Sequence, residues 1–382
     1  MILLDATPLD SPHRERGVGR FVAELVKALD ALEAPLRPDL RLLRLPDAPG
    51  GASSFPEWRP RRPFPCSGRP ALRIAGLIWS LRGAPAGTVF HGTDPIALAR
   101  PPRGRLLATV HDIIPLLYPD RYLPWRADAG SQRLAYTLWL PRALRKADRI
   151  VTVSDEVGRT LRHGLGLPPD RMSTIHHGAP EVSPSVASAE TRAEVATRFG
   201  TDPFVLTVGS VEWRKDVPTV LRAVGRRNSE GSRLRLLHAG RLWGREEQEL
   251  RRTASEAGAR LEVAGYVDDA MLSGLYAQAS AFAFPSRAEG FGLPLLEAMA
   301  QRCPVVANRS SCLPEVAGDA ALWHEPGDDM ELSRILRRLE ESPALADEFR
   351  ERGIARIGRF RWSDAAASYA SLYGELSADR RA

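Results

Sequence analysis

Short runs of consecutive apolar residues alternate, from one end of the chain to the other, with segments whose apolar positions recur every three or four residues. An unbroken apolar run reads as a strand covered on both faces, and the longer recurrence reads as the helices that cover it. Strands are expected at residues 2–4, 41–45, 89–91, 106–111 and 149–153, and again at 204–209, 234–239, 260–264, 281–284 and 304–307. Strands alternating with amphipathic helices describe an α/β protein with parallel sheets, and the two groups imply two of them. Between the groups, a strand-like "MSTIHH" at 172–177 leads into "HHGAPEVSPSVASAETRAEV", rich in Pro, Ser and Ala, which places a domain boundary near residues 180–200. "PEWRPRRPFPCSGRP" at 56–70 reads as a surface loop inside the first domain. In the tail, residues 359–376 set Trp362, Ala366, Tyr369 and Leu372 on one face of an ordinary terminal helix.

At 382 residues, 43% hydrophobic and 26% charged, the chain is long enough for two domains that each bury a core. Its three cysteines, Cys66, Cys303 and Cys312, show neither C-x-x-C nor Cys/His spacing, so no disulfide framework or zinc site is expected and a reducing cytoplasm fits. "MILLDATPLD" lacks the basic start and long apolar core of an export signal, and no apolar run approaches the ~20 residues of a membrane span. The net charge of +6 is uneven, with 26 Lys/Arg against 17 Asp/Glu in residues 1–180 and 27 against 30 thereafter. A basic first half carrying Trp58, Trp79, Trp125 and Trp139 suits an anionic membrane face or an acidic acceptor, and Arg-rich composition around core tryptophans explains it equally. The stretch "RPALRIAGLIWSLR" at 69–82 is compatible with an interfacial helix and equally with a core helix edged by arginines.

Candidate chemistry concentrates in "SRAEGFGLPLLEAMA", residues 286–300. Pro294 suits a first helical turn, with Glu297 expected in that turn too. Gly290 and Gly292 let a ligand approach main-chain N–H groups, and the helix start behind them favours an anion. Acids on either side of an anion site serve better as acceptors for hydroxyl donors, so Glu289 and Glu297 point to a sugar joined through phosphate to a nucleoside. In "TVGSVEWRKD", 207–216, a strand ends at Gly209 and a loop presents Arg214 and Lys215, which can hold a diphosphate and supply the counter-charge its departure needs. Gly17 and Gly19 in "RGVGRFVAEL" fail as a dinucleotide fingerprint, lacking a third glycine and a preceding strand, but fit a loop that approaches phosphate. His111, expected at a strand end before Asp112, could bond a substrate hydroxyl or move a proton, or the pair could cap the next turn. Ser154 or Asp155 is expected to cap a helix, as are Asp268 and Asp269, and no histidine has metal-ligand spacing.

Taken in order, "RGVGRFVAEL", "TVHDIIPLLYP", "IVTVSDEV", "TIHHG", "TVGSVEWRKD", the long "VAGYVDDAMLSGLYAQASAFAFPSRAEGFGLPLLEAMA" and the Trp-containing tail resemble the retaining nucleotide-sugar-dependent glycosyltransferases of family 4 (group 1), and the resemblance covers nearly the whole chain. Glu289 and Glu297, seven residues between them and G-F-G-L-P inside, are its most specific element. It implies the GT-B fold: two Rossmann-like domains, 1–185 binding acceptor and 200–358 binding nucleotide sugar, facing across a cleft, with 359–382 crossing back to the first. It further implies Glu289 on donor-sugar hydroxyls, Glu297 on the ribose, and the N–H groups of Phe291, Gly292 and Leu293 beside Gly290 on the diphosphate or sugar. Arg214 and Lys215 would neutralise the leaving diphosphate, the Gly17–Gly19 loop would close over it, Val267 would meet the nucleobase and His111 the donor sugar near the reaction centre. Retention by front-face substitution is implied, with no metal and no cofactor beyond the donor. The wording of "GVGRF" and "VHDIIPLLYP" is most similar to bacterial mannosyltransferases of polysaccharide assembly that use GDP-mannose, other UDP- or GDP-linked sugars staying open.

The partners expected are therefore a nucleotide-sugar donor and a glycan or lipid-linked acceptor, with peripheral contact at the inner face of the cell membrane and no nucleic acid, for which no motif is present. Hydrolysis or epimerisation of a nucleotide sugar on the same scaffold is the competing enzymatic reading, and a binding module that has lost turnover is the non-enzymatic one.

Overall fold

The computed structural model describes residues 1–10, 17–45, 53–59, 70–96, 98–122, 129–180 and 187–378. It divides into two units: residues 1–178 with 361–382, and residues 179–360.

Unit 1 is built on a seven-stranded sheet of order β3-β2-β1-β4-β5-β6-β7, in which every paired neighbour is parallel. The strands are β1 (Ile2–Asp5), β2 (Leu40–Leu43), β3 (Glu57–Trp58), β4 (Val89–Gly92), β5 (Arg105–Val110), β6 (Arg149–Thr152) and β7 (Met172–Thr174). Unit 2 carries six parallel strands in the order β10-β9-β8-β11-β12-β13. These are β8 (Phe204–Val208), β9 (Arg235–Ala239), β10 (Leu261–Gly265), β11 (Ala281–Phe284), β12 (Val305–Asn308) and β13 (Ala321–His324). Helices cover both sheets because parallel strands can be joined only by crossovers, and the strand interiors are accordingly buried throughout.

Sequence order reverses between β1 and β4 in unit 1 and between β8 and β11 in unit 2. At such a point the loops leaving two adjacent strands diverge to opposite faces and open a crevice beyond their carboxyl ends. The connections that follow β8 and β11 are the ones that carry Arg214, Lys215 and Glu289.

All ten strands expected from apolar runs are present within a residue or two of their expected ends. Two others had no such signal. β3 is a two-residue edge strand inside the Pro/Arg-rich stretch at 56–70, so the expected loop is part strand; residues 60–69 lie outside the described residues. β13 begins in small residues, "DAALWH", where neither alternation nor a β-branched run marks it.

The terminal helix Trp362–Ala378 belongs to unit 1. It buries Ala366, Tyr369, Leu372 and Tyr373 in one cluster with Phe21, Leu25 and the apolar residues of β1 and β2. Two of its hydroxyls enter the sheet: Tyr373 Oη lies 2.8 Å from His91 Nδ1, and Tyr369 Oη 3.0 Å from Thr109 Oγ1. His91 Nε2 meets the same threonine at 2.7 Å, which closes a buried chain of hydrogen bonds.

The helix Pro70–Leu81, expected either at an interface or in the core, has features of both. Arg73 is buried and paired with Asp94 at 2.8 Å, and Leu77 and Leu81 face the core. Leu72, Ile78 and Trp79 stay exposed on the opposite side, at 54%, 36% and 43%. Arg69 and Trp125 lie outside the described residues, as does Cys66; Cys303 and Cys312 are free and buried. Among the described residues no helix is long and apolar enough to cross a membrane.

Candidate functional site

In unit 2, β8 ends before Gly209, whose φ of 113° turns the chain out of the sheet. Gly240, after the neighbouring β9, lies so close that a Cβ on it would meet the Gly209 carbonyl oxygen at 1.9 Å, so these two connections approach without side chains between them. The loop continues into a short turn, Trp213–Lys215, that delivers Arg214 and Lys215. Asp216, at φ 43°, then starts the next helix and pairs with Arg287 at 2.7 Å.

The loop after β11 meets this turn directly. Arg287 N–H donates to the Arg214 carbonyl at 2.7 Å, and two residues later Glu289 Oε1 accepts from Lys215 Nζ at 2.6 Å and from Arg214 Nη1 at 3.0 Å. The three side chains are 14%, 17% and 12% exposed in the order Lys215, Arg214, Glu289. Burial pushes the Glu289 carboxyl up, but Lys215 and Arg214 overcome it and hold the acid ionised below its ordinary range. Burial also pulls the Lys215 ammonium down, and Glu289 opposes that. Arg214 Nε also pairs with Glu212 at 3.0 Å, so the two cations are held between carboxylates and can exchange partners with a ligand that brings both phosphate and hydroxyl groups.

A third loop, after β12, fixes the main chain of this turn. Ser311 Oγ accepts from Glu289 N–H at 3.2 Å and donates to the Glu289 carbonyl at 2.7 Å, and Cys312 Sγ lies 3.3 Å from the carbonyls of both Glu289 and Phe291. Gly292 then adopts φ 97°, and a side chain there would also crowd Leu313. The helix Leu293–Ala300 follows with Pro294 in its first turn. Pro294 has no N–H and the Leu295 N–H donates to the Gly292 carbonyl at 3.0 Å, so Leu293 supplies the first-turn N–H at this helix start, where the helix dipole favours an anion. Glu297 is the fifth residue of that helix and so lies in its second turn, not its first; its carboxylate meets the hydroxyl of the buried Tyr276 at 3.3 Å. Val267 is half-buried just beyond β10, ahead of Asp268, which caps the helix Asp269–Gln278 by accepting from Met271 N–H.

In unit 1 the same edge gathers different chemistry. Gly17 and Gly19 form the first turn of the helix Gly17–Asp30 rather than a loop, and the preceding residues 11–16 lie outside the described set. His111 follows β5, as expected, but Asp112 alone caps the next turn, accepting from Ile114 N–H at 3.1 Å. The His111 ring packs on Phe21 at 4.6 Å and on His177 at 5.4 Å, and its buried Nε2 has no hydrogen-bond partner. Burial is the main influence on His111, bringing it down to about 4 despite Asp94 nearby, so the imidazole is neutral near neutrality and can donate or accept at one nitrogen. Asp5, at the end of β1, accepts from Thr7 N–H and Thr7 Oγ1 at 3.1 and 2.6 Å, and burial raises it to about 6.

Sequence reading missed His177, Ser311, Cys312 and Tyr276. Only His177 had a signal, the doubled histidine of "TIHHG"; the other three act through contacts 21 to 23 residues away that no local pattern marks. Among the described residues no group of His, Cys, Asp and Glu is arranged to hold a metal ion.

The buried histidines make unit 1 acid-sensitive. His91, His111 and His177 all have folded values well below 6.5, chiefly through burial, the first two at about 3 and about 4. Each binds its proton more readily in the unfolded chain, so stability falls as pH drops below 6.5 and keeps falling toward those values. His111 alone accounts for about 3 kcal/mol, from 6.5 to about 4 at 1.36 kcal/mol per unit. Asp5 works oppositely, its stabilisation being present below 3.8 and lost as pH rises toward 6, so it offsets part of the acid loss. The melting temperature of unit 1 is expected to fall steadily from pH 6.5 to about 4; a flat profile over that interval would contradict these assignments.

Two family models match in tandem: "Glycosyltransferase Family 4" over residues 16–181 and "Glycosyl transferases group 1" over residues 189–356. The O-antigen chain mannosyltransferase B of Escherichia coli is 29% identical over 94% of this chain and 95% of its own length. The serotype-specific mannosyltransferase WbdA, also of Escherichia coli, is 26% identical over 69% of this chain, which spans only 32% of that longer protein. Among solved structures, the sucrose-phosphate synthase of Thermosynechococcus elongatus superposes with a TM-score of 0.76 over 99% of each chain at 21% identity, a likeness of fold.

Proposed function

We propose, from the premise that the chain belongs to the family 4 (group 1) glycosyltransferases of the GT-B fold, that it moves a mannosyl residue from GDP-mannose to a glycan or lipid-linked acceptor with retention of configuration. The clasp of Lys215 and Arg214 on Glu289 supports this reading, because two cations suited to phosphate and a carboxylate suited to hydroxyl donors lie within hydrogen-bond distance of each other at the switch point of unit 2.

On this reading the donor diphosphate takes the two cations and the N–H groups of Phe291, Gly292 and Leu293 at the start of the helix Leu293–Ala300, while the sugar hydroxyls take Glu289 and the ribose takes Glu297. Val267 meets the base. The bond from the anomeric carbon to the phosphate oxygen breaks, and its electron pair stays on the diphosphate, whose charge Arg214 and Lys215 balance without a metal. The acceptor oxygen bonds the anomeric carbon on the face the diphosphate is leaving, and its proton passes to the departing phosphate oxygen. Glu289 is engaged by two cations in the free protein, which suits it to positioning rather than to nucleophilic attack.

Mannose is supported by the two mannosyltransferases above, and GDP follows from that sugar. Titration with a panel of nucleotide sugars tests both: a donor at a hundred times its Kd adds about 2.7 kcal/mol of stability, so GDP-mannose is expected to raise the unit 2 transition and UDP-hexoses to leave it. A larger shift with a UDP-sugar would replace the donor assignment and keep the site. Sugar release that proceeds equally fast without acceptor would favour hydrolysis.

The exposed Leu72 and Trp79, two helical turns apart on the helix Pro70–Leu81, support a peripheral contact with an anionic membrane. Sedimentation with anionic vesicles is expected at low salt and is expected to fall in a Leu72→Ser, Trp79→Ser variant; no sedimentation of the parent protein would remove this contact.

A further inference from the structure

Unit 1 has a second concavity, of about 400 Å³, at the end of its sheet opposite His111 and Asp5. Arg105 opens β5 and Arg149 opens β6, so both stand at the amino ends of strands, and Arg145 and Lys146 occupy the last turn of the helix Leu140–Lys146. Arg100 and Arg171 complete a wall of six cations. Six-residue β5 separates this edge from His111 by roughly 15 to 20 Å at ~3.3 Å per residue.

Among the described residues two carboxylates line the same concavity, and both are engaged. Asp148 accepts from Arg100 at 3.0 Å and from Leu106 N–H at 2.8 Å, and Glu375 pairs with Arg149 at 2.7 Å. Helix-end carbonyls account for part of the remainder: Arg171 donates to those of Arg145 and Ala147 at 3.3 and 3.2 Å, and Arg145 reaches Leu165 at 3.5 Å. Among the described residues no carboxylate pairs with Arg145, Lys146 or Arg171. A recess with this excess of positive charge is disfavoured by self-repulsion when empty and is relieved by a compact dianion with several acceptor oxygens.

We propose that this recess is a phosphoryl-binding site, separate from the donor diphosphate site, taking the doubly charged phosphate of a phosphomonoester. Guanidinium groups from strand ends and the Lys146 ammonium from the helix end surround one small volume, which matches three phosphate oxygens better than it matches a single carboxylate. The same chemistry is offered by a free phosphate and by a phosphatidic acid headgroup.

The test compares the full chain with an Arg145→Gln, Lys146→Gln variant and with Lys215→Ala, at constant ionic strength. Both glutamine positions are exposed and lose mutual repulsion, so the variant is expected to melt with the parent or slightly above it in phosphate-free buffer. Titrated inorganic phosphate is expected to stabilise unit 1 of the parent and of Lys215→Ala, and to bind the double variant about tenfold more weakly. Vesicles of phosphatidylcholine with phosphatidic acid form the second arm: capture of the parent but not the double variant, without competition by free phosphate, assigns the lipid source. The proposal is overturned if chloride and phosphate stabilise equally and vesicles do not discriminate, or if the double variant matches the parent in both arms. It is overturned too if Lys215→Ala alone abolishes the phosphate effect.

Discussion

Replacing Lys215 by alanine is expected to lower kcat/KM for sugar transfer by about a thousandfold, the upper range for removal of one group that stabilises charge developing on a leaving oxygen. The ammonium sits 2.6 Å from Glu289 with its side chain only 14% exposed, so no solvent cation takes over its place at full strength. The substitution also leaves Glu289 with one fewer partner. Removing one member of a fully buried ion pair costs about 3 to 5 kcal/mol. Arg214 remains at 3.0 Å, which brings the expected loss of stability well below that range. Combining Lys215→Ala with Glu289→Gln separates the two effects: melting temperature is expected to recover while transfer stays lost. Undiminished turnover in Lys215→Ala, measured with saturating donor and acceptor, would sink the assignment of the leaving-group site.

Tyr369→Ala is expected to cost unit 1 about 3 to 5 kcal/mol, the range for deleting a buried ring. Tyr369 is 1% exposed, stacks on His91 at 5.1 Å between centroids and bonds Thr109 through its hydroxyl. Tyr369→Phe keeps the ring, and Thr109 retains His91, so it is expected to cost about 1 kcal/mol. Urea unfolding followed separately for the two units checks this, since the loss belongs to the unit 1 transition only. Equal effects of alanine and phenylalanine would mean that the hydroxyl network, not the packing, dominates.

Local signals account for what could be read without coordinates. Strands such as β8 and β11 are buried on both faces, so they stand out as apolar runs, broken in β8 only by Thr207, and their carboxyl ends predict where Arg214, Lys215 and Glu289 gather. Gly292 and Pro294 mark the helix start by backbone chemistry alone, although one turn of register was lost for Glu297. What stayed hidden depends on distant partners. His91 and Tyr373 are 282 residues apart, and neither has a neighbour in sequence that announces the other. Ser311 is likewise an ordinary serine until the loop after β12 comes beside Glu289.

The chain leaves unit 1 at Gly178 and re-enters it at Arg361, and where unit 2 begins and ends, Ala179 N–H donates to the Phe360 carbonyl at 2.9 Å. During synthesis this imposes an order. Residues 1–178 emerge from the ribosome lacking the helix that fills their core and satisfies His91, whereas residues 179–360 emerge with every strand of their sheet. The unit made second is therefore the first able to complete itself, and the unit made first waits, partly open, for the helix Trp362–Ala378.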